Sequence, residues 1–245
     1  MAQKARFATV HLLRFPDITT AEQLALTHAP SGSISWKIGP GGQVGPDGRR
    51  LPSDTWSAVG LFTGLAEAEL AFRNKEEFMP FLAGARESWH LLLRPFRHHG
   101  ECNHIERETP GKLFEVSEED CGGPLVVVTT AGYEFGFEAN MDRVVAFRHK
   151  VDHVGTWMKG LEGCFVSRAF TPHTAGDDGF TVSVWRSDED MLCASYRAGT
   201  HRNYMDGHKA ASDFDRSSFT RFRILDFSGK WNGRNPLAQP SIATR

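Results

Sequence analysis

The 245-residue chain has no apolar run long enough to cross a bilayer, and its opening stretch, MAQKARFATVHLLRF, is too short and interrupted for a secretory signal. A cytoplasmic protein without an integral membrane segment is therefore expected. Charge of one sign is also missing: 28 Lys and Arg stand against 30 Asp and Glu, a formal net charge of −2. With no basic run, nucleic acid is not an expected partner. Cysteine is scarce, and Cys102, Cys121, Cys164 and Cys193 form no CxxC pair. That argues against a zinc site built on paired cysteines, and a chain of this size needs no disulfide scaffold. No GxSxG stretch is present, so a nucleophile elbow has no anchor.

What the chain has is rings. Eighteen Phe, six Trp and eleven His suit an aromatic-lined pocket for a small-molecule substrate. The hydrophobic share of 40% and the charged share of 24% are ordinary for a globular protein.

Periodicity gives a recurring order of elements. Residues 6–15 alternate as a strand, 18–29 read as a short amphipathic helix, and 33–38 and 55–63 as strands. Residues 64–87 read as a helix and 88–96 as a closing strand. The second half repeats this: strand 124–134, helix 140–161, strands 164–170 and 179–187. A helical region follows from the Ser/Asp start at SDED, resuming after Gly199 to about residue 212, and strand 217–227 closes the unit.

Individual residues repeat too. Phe72-Arg73 and Tyr196-Arg197 lie 124 positions apart, and Arg94 in LLLRPF and Arg223 in TRFRILDF lie 129 apart. The five-residue difference fits an insertion before the last strand. The reading is an α+β fold of tandem ferredoxin-like βαββαβ repeats. Residues 1–97 form one unit and 124–245 the other, with the polar, Gly- and Pro-marked segment 98–123 as linker.

Candidate sites are weighed singly. GPGGQVGPDG (39–48) lacks the helix a phosphate cradle needs and reads as a β–β connection. His149 and His153, at i and i+4 beside Asp152, have a spacing that can chelate a metal, but the pattern is common on solvated helix faces and is read as one. The cluster His98, His99, Cys102 and His104 reads as a His-rich turn rather than a soft-metal site. The acidic runs 117–120 and 187–190 are explained by solvation and the helix dipole. His201, seven residues before His208, is different. It replaces Glu77 of the first half and lies near Tyr196 and Met205, where a neutral imidazole could bind a metal or heme iron.

WKIGPGGQVGPDG, ARESWHLLLRPF, YRAGTHRNYM and SSFTRFRILDFSGKWNGRNPLA stand in an order that resembles the spheroidene monooxygenase family of heme-containing carotenoid oxygenases. That family is similar to tandem ferredoxin-like heme proteins such as aldoxime dehydratases and chlorite dismutases. The resemblance implies a dimeric α/β-barrel-type fold and heme b, with His201 as the axial ligand of the iron. Met205, Trp185 and Phe147 are then expected as pocket wall, and Arg197 or Arg223 as the partner of a heme propionate. The function implied is an oxygen- and reductant-dependent monooxygenase on an apolar or secondary-metabolite substrate. A ferredoxin-type electron donor and a homo-oligomer are compatible with it. The alternatives are a lyase acting at a nitrogen–oxygen group and a non-catalytic heme-binding protein. No distal catalytic residue is assigned.

Overall fold

The computed structural model describes residues 4–18, 28–42, 51–101, 113–117, 122–171, 178–197 and 212–238. Its strands are β1 (Phe7–Arg14), β2 (Ser33–Pro40), β3 (Thr55–Phe62), β4 (Glu87–Gly100), β5 (Leu125–Gly132), β6 (Cys164–Phe170), β7 (Gly179–Trp185) and β8 (Arg216–Gly229). The α-helices are α1 (Leu65–Arg73), α2 (Lys75–Phe78), α3 (Met141–Lys159) and α4 (Asp188–Leu192). No described helix is long and apolar enough to cross a membrane.

All eight strands belong to one antiparallel sheet in the order β2-β3-β1-β4-β8-β5-β7-β6. The long strands β4 and β8 join the halves, and Arg94 lies opposite Arg223 in their register. The sheet curls until its edges meet: Gly41 bridges Phe170, and the Thr171 amide donates to the Pro40 carbonyl at 3.1 Å. The fit there is tight: a Cβ on residue 41 would lie 3.2 Å from the Phe170 ring and 3.3 Å from the Thr55 carbonyl.

The strands alternate as their sequences require, with one side chain in two facing inward. Val10 and Leu12 of β1, Leu91 and Leu93 of β4, Val126 and Val128 of β5, and Val182 and Val184 of β7 share the inner core. The outer face has two separate covers. Over the first half, α1 and the turn Pro80–Gly84 bury Phe72, Phe81 and Leu82 against Leu13, Phe15, Trp56 and Phe62. Over the second, Met158 of α3 and Met191 of α4 pack on Leu125, Val127 and Trp185.

The expected helix 64–87 is broken. It ends at Asn74, resumes for one turn, and stops at Met79, whose φ of −125° and ψ of 65° leave the helical region before Pro80. A residue before proline is sterically pushed out of α geometry. The start signal at Ser187 forms as expected, its hydroxyl accepting from the Asp190 amide at 3.2 Å. The helix changes at Cys193–Arg197 to a wider π turn. Residues 19–27, most of the short helix expected at 18–29, lie outside the described residues. Of segment 98–123, residues 98–100 are part of β4, and Leu113 and Phe114 are buried in the inner core, with Phe114 bridged to Ala5.

Candidate functional site

The outer face of the second half carries unusually small side chains beneath α3. Ala169 of β6, Thr181 of β7 and Thr129 of β5 lie in one cross-strand row, and Gly179 and Ala131 lie in the next. All are half-buried, whereas their inward neighbours Phe170, Phe180 and Val182 are buried. The helix above does not fill the space they leave. Of the 19 residues of α3, only Val144 and Met158 are buried.

The two ends of α3 behave differently. Toward its C-terminus, Met158, Val154 and Trp157 pack on the sheet, and the Ser167 hydroxyl lies 3.8 Å from the Met158 sulfur. Toward its N-terminus, Val144, Phe147, Arg148 and Val151 face a cleft of about 690 Å3, open mouth included. Phe137, Tyr133 and Phe147 wall it. Its lining is predominantly apolar, with few polar groups, as in small-molecule sites.

Three polar groups stand out at the cleft. Tyr133 follows β5 and is 2% exposed, and its buried hydroxyl has no hydrogen-bond partner among the described residues. Burial pushes its pKa up to about 12, so it is a neutral donor at any ordinary pH. Arg148 is half-buried, and its guanidinium lies 5.8 Å from the centre of the Phe137 ring. It makes no hydrogen bond or ion pair to any described residue, and burial lowers its pKa. Asp152, one turn on, lines the cleft as well and favours the charged form of Arg148.

The end of the cleft is braced by a separate network. Arg216, 9% exposed, donates to Asp178 at 2.5 Å and to the Tyr133 carbonyl at 3.1 Å. Arg143 donates to Asp215 at 2.7 Å and to the Ser212 carbonyl at 2.6 Å, with its guanidinium 5.2 Å from the Tyr133 ring centre. Lys150 holds Asp213 at 2.6 Å.

Of the expected site residues, Phe147 lines the cleft. Trp185 and Arg223 lie at the closed end of the same sheet face, both in register with Leu125. That is four to six residues along β5 from the cleft floor, or roughly 13–20 Å at the usual strand rise. Trp185 donates to the Ser183 hydroxyl at 2.8 Å. Arg223 is engaged by Asp188, by the Gly123 carbonyl at 3.1 Å and by the Phe96 ring at 4.1 Å. Arg197 is exposed and reaches Cys193 Sγ at 3.4 Å. His201, Met205 and His208 lie outside the described residues, as do Cys102 and His104. His149 and His153 are exposed on α3, and His98 donates to or accepts from Thr220 at 2.8 Å. Among the described residues no group of three His, Cys, Asp or Glu could hold a metal ion.

Sequence reasoning missed Tyr133, Arg148 and the small floor. The signal was present in VVVTTAGYE, where the apolar run gives way to Thr129, Ala131 and Tyr133 at period two.

No protein-family profile matches the chain, and no curated protein matches it in sequence. Its fold is similar to solved structures. An aldoxime dehydratase in complex with butyraldoxime aligns with a TM-score of 0.55 at 9% identity, over 92% of this chain and 82% of that one. Another aldoxime dehydratase aligns with a TM-score of 0.51 at 10% identity, over 91% and 82% of the two chains. A chlorite dismutase from Candidatus Nitrospira defluvii covers 92% of this chain and 93% of its own at 10% identity, but with a TM-score of 0.30. At such identities the likeness is one of fold.

Proposed function

We propose that the chain is a heme-dependent enzyme whose cofactor occupies the cleft beneath α3. The observation that carries this reading is the geometry of that cleft, a long helix standing off a floor of Thr129, Ala131, Ala169, Gly179 and Thr181 between aromatic walls. A flat, largely apolar group with a polar edge fits such a slot, and the unpartnered Tyr133 hydroxyl suits that edge. With no CxxC pair in the chain, covalent attachment of the c type has no handle, so heme b is the form proposed.

The architecture proposed with it is a pair of ferredoxin-like units, 1–97 and 124–245, joined by 98–123 in a dimeric α/β-barrel-type arrangement. Two facts support it. In both halves the first strand lies between the third and the fourth, and Arg94 faces its repeat counterpart Arg223 across the β4–β8 seam.

His201 is proposed as the axial ligand on the strength of the sequence resemblance, with Met205 beside it. It follows the π turn Cys193–Arg197, and such turns recur at functional sites. Bound in the cleft, heme would supply an iron centre able to activate dioxygen or to polarise a nitrogen–oxygen bond. The chain's own part is to exclude water with Phe137, Phe147 and Val151 and to orient ligand through the few polar groups present.

The first reading of the reaction is monooxygenation of an apolar small molecule, with electrons from a ferredoxin-type donor, in a cytoplasmic homo-oligomer. The second is a lyase that removes water from an aldoxime. It is favoured by the similarity of fold to the two aldoxime dehydratases. Hemin-loaded protein separates them. Under labelled dioxygen with a ferredoxin reducing system, an apolar polyene should gain one labelled oxygen, and omitting reductant should stop the reaction. Conversion of an alkyl aldoxime to its nitrile without net oxidation would transfer the assignment to the lyase. Turnover of neither would overturn the enzymatic reading.

A further inference from the structure

We infer that Tyr133 and Arg148 form a carboxylate anchor in the α3 cleft and bind the propionate edge of the porphyrin. The inference rests on the heme reading above and adds the residues that fix the cofactor's orientation.

Three observations support it. The Tyr133 hydroxyl is buried and has no acceptor, a loss that native structures seldom tolerate unless something absent from the chain supplies the partner. Arg148 carries a half-buried positive charge with no hydrogen bond or ion pair to any described residue. The two groups share one neighbour, since the Phe137 ring lies 5.6 Å from the Tyr133 ring and 5.8 Å from the Arg148 guanidinium. The other cations nearby are taken: Arg143 by Asp215 and Lys150 by Asp213. So are the acceptors, because Asp215 and Asp213 receive those cations and Asp178 receives Arg216.

What remains is an uncharged O–H donor, a cationic donor and apolar rings. The complementary ligand brings acceptors and negative charge at one edge and an apolar plane behind it. A carboxylate satisfies both donors at once, and hydrogen bonds to an ionised acceptor are the strong kind. Among the described residues Asp152 is the one acidic side chain lining the cleft, and it has an interaction of its own. Ala131 and Gly179 present no bulky side chain on the floor beneath such a plane.

The test uses metal-free protoporphyrin IX, which removes any contribution from His201, and its dimethyl ester, which removes the carboxylates. Binding is followed by quenching of tryptophan fluorescence in the full chain. The wild type should bind the diacid about tenfold or more tightly than the diester. Arg148→Gln and Tyr133→Phe should each lose most of that preference while keeping the diester affinity and the far-UV spectrum of the wild type. Equal binding of diacid and diester by the wild type would overturn the anchor while leaving heme binding intact. So would diacid preference retained in both variants. Palmitate forms a further arm: if it displaces the diacid at equal concentration, and does so only with Arg148 present, the anchor belongs to a substrate acid and not to the porphyrin. A wild type that binds neither porphyrin overturns the heme reading and the anchor with it.

Discussion

At the scale of single residues, the first half holds a buried pair that sequence patterning gave no reason to single out. His11 and His90 face each other across β1 and β4, their Nδ1 atoms 2.9 Å apart. One ring must donate and the other accept, so one proton lies between the two Nδ1 atoms. Among the described residues both Nε2 atoms are buried without partners, and the His11 ring packs against Trp36 and Phe78. Burial, followed by each ring's charged neighbours, holds His11 well below the ordinary imidazole value and His90 at about 3. Above pH 6.5 the folded and unfolded chains are both neutral at these positions, and no stability is at stake. Below it the unfolded chain takes up protons that the folded one refuses. Stability then falls by about 1.4 kcal/mol per pH unit for each ring until the folded value is reached. Urea midpoints should therefore drop between pH 7 and pH 5, and His90→Phe should flatten the drop. A midpoint independent of pH over that range would contradict the account. A second prediction concerns the brace at the cleft's end. Asp178→Ala leaves the Arg216 guanidinium buried and unpaired, which should cost about 3–5 kcal/mol in equilibrium unfolding. A loss under 1 kcal/mol would mean that water reaches the arginine.

At the scale of elements, the second-half helix was legible and its role was not. The periodicity of 140–161 gives α3 nearly to its ends. The gap beneath it depends on small residues from β5, β6 and β7, whose adjacency only the strand register reveals. Trp185 and Arg223 illustrate the same limit. Both share the sheet face of the cleft floor, yet they sit at the end where α3 and α4 close down on it. The first-half helix failed for a local reason, since Asn74 and Pro80 outweigh an otherwise continuous amphipathic pattern. The cleft's form predicts a steric variant. Ala169→Trp places an indole on the floor and should abolish hemin uptake while leaving the far-UV spectrum unchanged. Leu70→Trp, on the exposed face of α1, should leave uptake at the wild-type level. Equal hemin binding by Ala169→Trp and the wild type would place the cofactor elsewhere.

At the scale of the whole molecule, Arg94 and Arg223, paired in the sequence reading, lie opposite each other in the β4–β8 register, but the way the halves combine could not be read. The inner core draws Val10, Leu12 and Leu91 from one half and Val126, Val182 and Val184 from the other, and Phe170 meets Gly41 at the closing edge. A core shared in this way unfolds as one unit. Tryptophan fluorescence, reported by Trp36, Trp56 and Trp89 on one side and Trp157 and Trp185 on the other, with Trp231 beside Arg14, should trace the same single transition as far-UV circular dichroism. Two separated transitions would show that the halves are energetically independent. The central claim is that heme binds in the second half beneath α3 with His201 on the iron. A hemin titration followed in the visible, with the ferrous–CO spectrum recorded at saturation, tests it most directly. The wild type should develop a Soret band at one equivalent, and His201→Ala should shift the ferrous–CO maximum. No Soret band in the wild type, or an identical ferrous–CO spectrum in His201→Ala, would contradict it.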